Sequence, residues 1–368
     1  MRKVLTILLL MMSLSLQAND PSTSDTLTSH ELPQKESWLK RTLRKFTEID
    51  TNYVEPQHYN WALMVQGTYN YDIYRLSSTT DNKQSVTFAP APSFKFGPYF
   101  GWRWIFLGYT IDLKSLKFSN GKREFDFSFY AAQLGVDLFY RRTGSDYRIR
   151  NVDLGKNVNT GMLEDVKFDG LSVGITGFNA YYIFNHKRFS YPAAFNQSTM
   201  QKISCGSWMA GLGWMRNSLE FDYNKMQRLV SDRLGQPVPL DSGLMFNSVK
   251  YYNLNASVGY AYNWVFARHC LFCSSLSVAL AYKNTRGETV DDDKTGFDFN
   301  NFNVDGIGRF GVVWNNNKWY AGASAIVRLY NYHTSRFAAN NIFGSLNVYV
   351  GFNFGPRKGY KESLGLRV

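Results

Sequence analysis

Cysteine is nearly missing from this chain, at three residues in 368. That is too few for a disulfide-stapled scaffold, and the spacing does not complete a structural zinc module. None precedes Cys205, so no cysteine follows the N-terminal apolar run to carry a lipid anchor. Long apolar runs are missing as well. After Val4 to Leu16 no stretch approaches the roughly 18 consecutive apolar residues of a membrane helix, and the mean hydropathy is −0.31. A bundle of membrane helices is excluded. Histidine is scarce too, with His30, His58, His186, His269 and His333 as the full set. Each falls in the leader, at a strand end or in a connection, so no base stands mid-strand beside a serine nucleophile. The expectation is that the chain is not an enzyme. Acids are outnumbered, with 29 Asp and Glu against 41 Lys and Arg.

What is present begins with an export signal. Met1 to Ala18 carries Arg2 and Lys3, an apolar run and then Gln17-Ala18 before polar Asn19-Asp20. Removing Arg2 and Lys3 takes the formal charge from +12 to +10. For an exported chain this surplus suits anionic lipid head groups or anionic solutes, with scattered solvated side chains as the plain alternative; nucleic acid is not an expected partner. Residues 19–36 read as a flexible leader rich in Ser, Thr, Asp and Pro. Residues 37–50 read as a short periplasmic amphipathic helix capped by Ser37. Trp38, Leu39, Leu43 and Phe46 lie along one stripe, and Lys40, Arg41, Arg44 and Lys45 face elsewhere.

From residue 51 to 368 the pattern changes to alternation with a period of two. Leu346, Val348, Val350, Phe352 and Phe354 share one side, and Asn347, Tyr349, Gly351 and Asn353 the other. The composition is 17% aromatic and includes 29 Gly, and Trp61, Trp102, Trp104, Trp264, Trp314 and Trp319 fall near strand ends. One greasy face, one wet face and aromatic anchors predict an all-β fold, a closed antiparallel transmembrane barrel of about 12 strands in the outer membrane. A long fourth strand, Arg123 to Arg141, is expected with a bulge near Ala131-Ala132, and Ser145 to Val152 is taken as the strand that makes the number even. Gly97 to Gly101 and Arg142 to Gly144 are expected as tight turns. The connections 153–169, 217–249 and 284–301 become long outer loops, and 185–202 a small periplasmic excursion.

The stretch Gly97-Pro98-Tyr99-Phe100-Gly101-Trp102-Arg103-Trp104-Ile105-Phe106-Leu107-Gly108-Tyr109-Thr110-Ile111-Asp112-Leu113, with Tyr69-Asn70-Tyr71-Asp72 ahead of it, resembles the bacterial domain-of-unknown-function family numbered 4421 (DUF4421). The resemblance spans about Asp50 to the end. It implies an outer-membrane-type barrel and carries no functional residue with it.

Candidate site residues come from the face expected to line the lumen: Asp72, Lys95, Asp112, Lys114, Asp305, Arg309 and Arg328, with Asn303 beside them. Charges alternating with apolar neighbours there mean a lumen that is wet or laced with ion pairs. Cys270 and Cys273 are read as a disulfide pinning a hairpin end, with a zinc site or a redox pair as weaker alternatives. Asp291-Asp292-Asp293 is read as a solvated loop. No catalytic, cofactor or metal residue is assigned, and no cofactor is expected. The expected role is passive permeation or transport of small polar solutes. The alternative is a structural or docking barrel with a periplasmic partner, and a lipid-modifying enzyme ranks below both. Outer-membrane lipid including lipopolysaccharide and the barrel assembly machinery are the expected partners.

Overall fold

The computed structural model describes residues 48–80, 83–90, 93–102, 105–108, 111–112, 123–143, 146–155, 158–287, 302–333 and 336–363. The chain divides into two units, Met1–Asp50 and Thr51–Val368. The expected signal, leader and most of the amphipathic helix lie outside the described residues. No helix among those described is long and apolar enough to cross a membrane.

The second unit is built from strands. In chain order they are β1 (Val54–Pro56), β2 (Tyr59–Ser78), β3 (Ser85–Pro90), β4 (Ser93–Trp102), β5 (Ile105–Gly108), β6 (Ile111–Asp112), β7 (Arg123–Tyr130), β8 (Leu134–Arg142), β9 (Tyr147–Asp153) and β10 (Leu171–Ile183). After helix α1 (Tyr191–Phe195) come β11 (Thr199–Gln201), β12 (Cys205–Phe221), helix α2 (Tyr223–Leu234), β13 (Ser248–Ala267), β14 (Cys270–Gly287), β15 (Phe302–Asn315), β16 (Trp319–His333) and β17 (Phe337–Pro356), with α3 (Lys358–Ser363) at the end.

The main ladder runs β5-β4-β2-β17-β16-β15-β14-β13-β12-β10-β8-β7. That is twelve strands, with neighbours antiparallel throughout. Pairing of the first long strand with the last, Tyr59 opposite Pro356 through Phe337 opposite Ser78, brings both ends of the unit to one side, here called the terminal end; the other is the loop end. The ladder is not a closed ring, since β5 and β7 are its two ends among the described residues. It nevertheless curls strongly. Arg309 of β15 reaches Asp137 of β8, five strands away along the ladder, and Phe139 of β8 lies 6.1 Å from Phe343 of β17.

Alternation then sorts the side chains. On β13, Leu254, Val258, Tyr260, Tyr262 and Trp264 point out and are exposed, and Asn253, Ala261 and Asn263 point in and are buried. Leu254 to Trp264 spans about 33 Å along the strand at ~3.3 Å per residue, or about 25 Å of height at a ~40° tilt, the height of a barrel's apolar band. The terminal end of that band is aromatic. Trp61 faces Trp102 and Phe354 across the ladder, Trp319 faces Phe352, and Trp264 faces Phe272, which suits rings that prefer the water-lipid boundary.

Three expectations about strands are corrected. Arg123 to Arg141 is a hairpin: Ala131 N donates to Leu134 O at 2.9 Å, and β7 and β8 then pair from Arg123 opposite Arg142 to Tyr130 opposite Gly135. A one-residue phase slip reads alike from a bulge or a tight turn, and no Gly, Pro or Asn marks this one. Gly97 to Gly101 is the middle of β4, paired with Gln66 to Ala62 of β2. Residues 147–153 form no strand of the main ladder, since β9 pairs with β3, itself paired with the loop end of β2, and Arg142, expected to open a turn at the terminal end, stands opposite Gly174 at the loop end.

Candidate functional site

The interior is layered. At mid-height the inward positions of β8, β15 and β16 hold charges. Arg309 donates through Nη2 to Asp137 Oδ2, and both side chains are at most 2% exposed. Asp137 also accepts from Ser128 Oγ at 2.7 Å. The Arg309 guanidinium lies 5.0 Å from the centre of the Tyr181 ring. Arg328 is buried between two rings, 5.2 Å from Phe139 and 5.6 Å from Phe343, and Arg141 lies over Phe343 at 4.8 Å. A second pair sits nearer the loop end. Lys283 Nζ meets Asp305 Oδ1 at 3.2 Å, and Asp305 also accepts from Asn253 Nδ2 at 2.8 Å and from the Asn331 amide at 3.0 Å. Lys283 donates as well to the Asn331 carbonyl. A buried charge is tolerable only when paired and hydrogen-bonded, and here Asp137 collects two such partners and Asp305 three.

Toward the terminal end the segment between β10 and β12 folds against the inner face. Its helix α1 is capped by Ser190, whose Oγ accepts from Ala193 N at 3.3 Å, and Pro192 stands in its first turn, where no backbone N–H is missed. Tyr191 donates its hydroxyl to Ser275 of β14. Gln197 Nε2 reaches the Tyr349 hydroxyl of β17 at 2.7 Å, and Asn263 Nδ2 of β13 donates to Ser190 O at 2.8 Å. Ala193 and Ala194 pack on Leu271, Cys273 and Val313. Gly311 makes room for them: a Cβ there would come within 3.3 Å of the Ala194 carbonyl. The segment expected as a periplasmic excursion is thus an inward plug, tied back by β11 to β1.

The loop end is covered by apolar packing. Asp222 caps α2 by accepting from Lys225 N at 2.9 Å, and Gly235, at φ +65°, ends it in the left-handed conformation that glycine tolerates. Met226 and Val230 turn inward into a cluster with Leu163, Phe168, Phe221 and Phe246. Phe246 stacks on Phe337 at 4.4 Å and Tyr251 on Tyr332 at 4.2 Å. Lys225 Nζ meets Asp169 Oδ1 at 2.6 Å and holds that carboxyl below the usual carboxylate range.

Of the candidates read from sequence, Asp305, Arg309 and Arg328 lie buried in this interior. Asp72 is buried on the inner side of β2, Lys95 is half-buried on β4 opposite Asp112 of β6, and Asn303 is half-buried. Lys114 and the Asp291 to Asp293 run lie outside the described residues. Asp137, Arg141, Lys283 and the plug were missed. Alternation on β14 places Lys283 in phase with Ala279 and Ala281, and alternation of Leu134, Val136, Leu138 and Tyr140 on β8 places Asp137 and Arg141 inward, so the signal for all three is present in the sequence. The disulfide reading is corrected: Cys205, Cys270 and Cys273 are free. Both Cys270 and Cys273 lie on β14, and an odd separation on a strand sends their side chains to opposite faces. No cluster that could hold a metal ion occurs among the described residues.

The sequence matches the family profile described as Domain of unknown function (DUF4421) over residues 48–354, and no curated protein matches it. Among solved structures it is similar to the outer membrane protease OmpT from Escherichia coli, at 6% identity and a TM-score of 0.34, covering 83% of this chain and 100% of that one. It is also similar to the outer membrane protein OprG from Pseudomonas aeruginosa (10%, TM-score 0.24, 82% and 98%). A third likeness is to the P. putida toluene transporter TodX (7%, TM-score 0.20, 81% and 91%). These likenesses concern the outer-membrane barrel fold alone. With a protease and a transporter both among them, the expectation that this chain is not an enzyme is withdrawn: enzyme status stays open.

Proposed function

The chain belongs to the DUF4421 family, and we propose that it is an outer-membrane barrel that passes small polar solutes and is held shut in the present conformation by its own plug and lid. The observation that carries this reading is the make-up of the interior from mid-height toward the loop end. A barrel filled only for stability does as well or better with apolar side chains, since buried ion pairs recover little of what their desolvation costs. Here the wall instead buries Arg141, Lys283, Arg309 and Arg328 against Asp72, Asp137 and Asp305, the kind of lining that serves ions and polar solutes. The cations outnumber the carboxylates among these residues, so the reading is anion-favouring.

Planar bilayers test it. The wild-type barrel is expected to conduct little. A variant in which residues 189–198 are replaced by a short Gly-Ser linker is expected to conduct steadily with anion preference, and Arg328→Gln in that background is expected to move the reversal potential toward cations. A folded, plug-less barrel that passes no current would overturn the proposal. The covering of both ends favours a second reading, a docking barrel. It predicts that silence, together with a periplasmic partner cross-linked through residues 37–50 or the plug segment.

A further inference from the structure

Outward-facing charge is not spread evenly around the rim at the loop end. Register lines up Arg142, Gly174, Ser218 and Lys250 across β8, β10, β12 and β13, and one row nearer mid-barrel it lines up Tyr140, Thr176, Arg216 and Tyr252. Residues level in register share a face of the sheet. Arg142, Arg216 and Lys250 are all exposed, beyond the outward row Leu138, Phe178, Trp214 and Leu254 that heads the apolar columns. Arg216 lies over the Tyr252 ring at 5.8 Å. Between Arg142 and Lys250 stand only the small Gly174 and Ser218, leaving a shallow shelf three strand spacings wide, about 14 Å. Glu220, an exposed carboxylate of the same face, lies one row further from the apolar band. On the opposite arc the corresponding row of β16, β17 and β2 reads Asn331, Asn340 and Arg75.

We propose that the shelf on β8, β10, β12 and β13 is a binding site for a phosphorylated lipid headgroup of the loop-side leaflet. Arg142 and Lys250 hold phosphate oxygens at either side, Arg216 supports them from below, and the acyl chains run down Phe178, Leu212 and Leu254. The occupant is a lipid because the cations continue columns that face hydrocarbon: a soluble anion would meet the charges and waste the apolar half of the site. Lysine and arginine at a membrane surface attract anionic lipid, and guanidinium groups add paired hydrogen bonds to phosphate. The site is on the outside of the wall, so it stands or falls separately from conduction.

The test is native mass spectrometry of the full-length folded protein released from detergent, with lipopolysaccharide and its enzymatically dephosphorylated form as probes. The expected result is retention of the phosphorylated lipid and about fivefold weaker retention for each of Arg142→Gln and Lys250→Gln, from a surface charge's contribution. Arg75→Gln on the opposite arc is expected to change nothing. These rim side chains are exposed, and the heat-dependent gel shift of a folded barrel verifies each variant. Equal retention of dephosphorylated lipid, an equal loss in Arg75→Gln, unchanged binding in the Arg142/Lys250 double variant, or full competition by millimolar inorganic phosphate would each overturn the proposal.

Discussion

Arg309→Gln isolates a buried charge, the Asp137 carboxylate. The substitution leaves Asp137 at 1% exposure with the Ser128 hydroxyl at 2.7 Å and without the guanidinium that now neutralises it. Breaking a buried ion pair from one side costs about 3–5 kcal/mol, because the partner stays behind uncompensated. Replacing both members, Arg309→Met with Asp137→Leu, removes the stranded charge, and most of that loss is expected to return, to within about 1 kcal/mol of wild type. The assay is urea unfolding of the vesicle-inserted protein followed by tryptophan fluorescence, with the heat-dependent gel shift as a check on folding. A loss under about 1 kcal/mol in Arg309→Gln would mean that Asp137 is rehydrated at little cost, as an exposed pair would be. The closed interior would then be wrong. A double variant as unstable as the single one would refute the pairing itself.

Gly311→Val places two methyl groups where even a Cβ would sit 3.3 Å from the Ala194 carbonyl and 3.4 Å from the Phe195 ring. It is expected to loosen α1 and raise bilayer conductance, with overpacking of about 1–3 kcal/mol driving the plug out. In the lid, Lys225 lowers the Asp169 carboxyl. A depressed folded value means the contribution is full above the unfolded value near 4 and fades as pH falls through the folded one. Both groups are about half exposed, so the effect is at most ~1 kcal/mol; amide exchange in α2 is expected to quicken only below about pH 4, and Asp169→Asn to remove that dependence. Thiol counting is expected to give three alkylatable cysteines after denaturation with or without reductant, and slow alkylation of buried Cys273 in the folded barrel. A Cys270–Cys273 crosslink in the mass spectrum would contradict the strand placement.

How much of this was legible depended on what kept each strand in phase. β13 to β17 run for 14 to 20 residues each and keep one phase over most of that length, with a register shift at Val265/Ala267 near the end of β13, because one side meets lipid and the other a polar interior. The same alternation sets Asp305, Arg309 and Arg328 apart from their apolar outward neighbours, and all three are buried. β7 and β8 were fused because their turn, Ala131-Ala132-Gln133, carries none of the residues that mark a reversal. A bulge and a turn leave β8 in the same phase, so the alternation that puts Leu134, Val136, Leu138 and Tyr140 outward also puts Asp137, the partner that Arg309 requires, inward. Pairing of β9 with β3 was beyond reach for another reason: it joins strands 60 or so residues apart, and no periodicity within either one names its neighbour.

The plug failed to announce itself because a barrel reverses the usual meaning of polarity. In a soluble protein, a segment such as Asn185 to Lys202, with Asn, Ser, Gln and Lys between aromatics, belongs at the surface. The inner wall here offers Ser275, Asn263 and Tyr349, so hydroxyl and amide groups find partners by turning inward, and Tyr191 and Phe195 find Tyr130 at 5.8 and 5.5 Å. A polar loop long enough to return is then as content inside as out. The difference lies in contacts such as Gly311 with Ala194, which are properties of two segments at once. Neutral hydrogen bonds of this kind contribute about 1 kcal/mol apiece. A plug hung on them between apolar Ala193 and Ala194 and the wall can be held firmly yet released by a modest gain elsewhere, which is what a closed conduit needs and a purely structural filler does not.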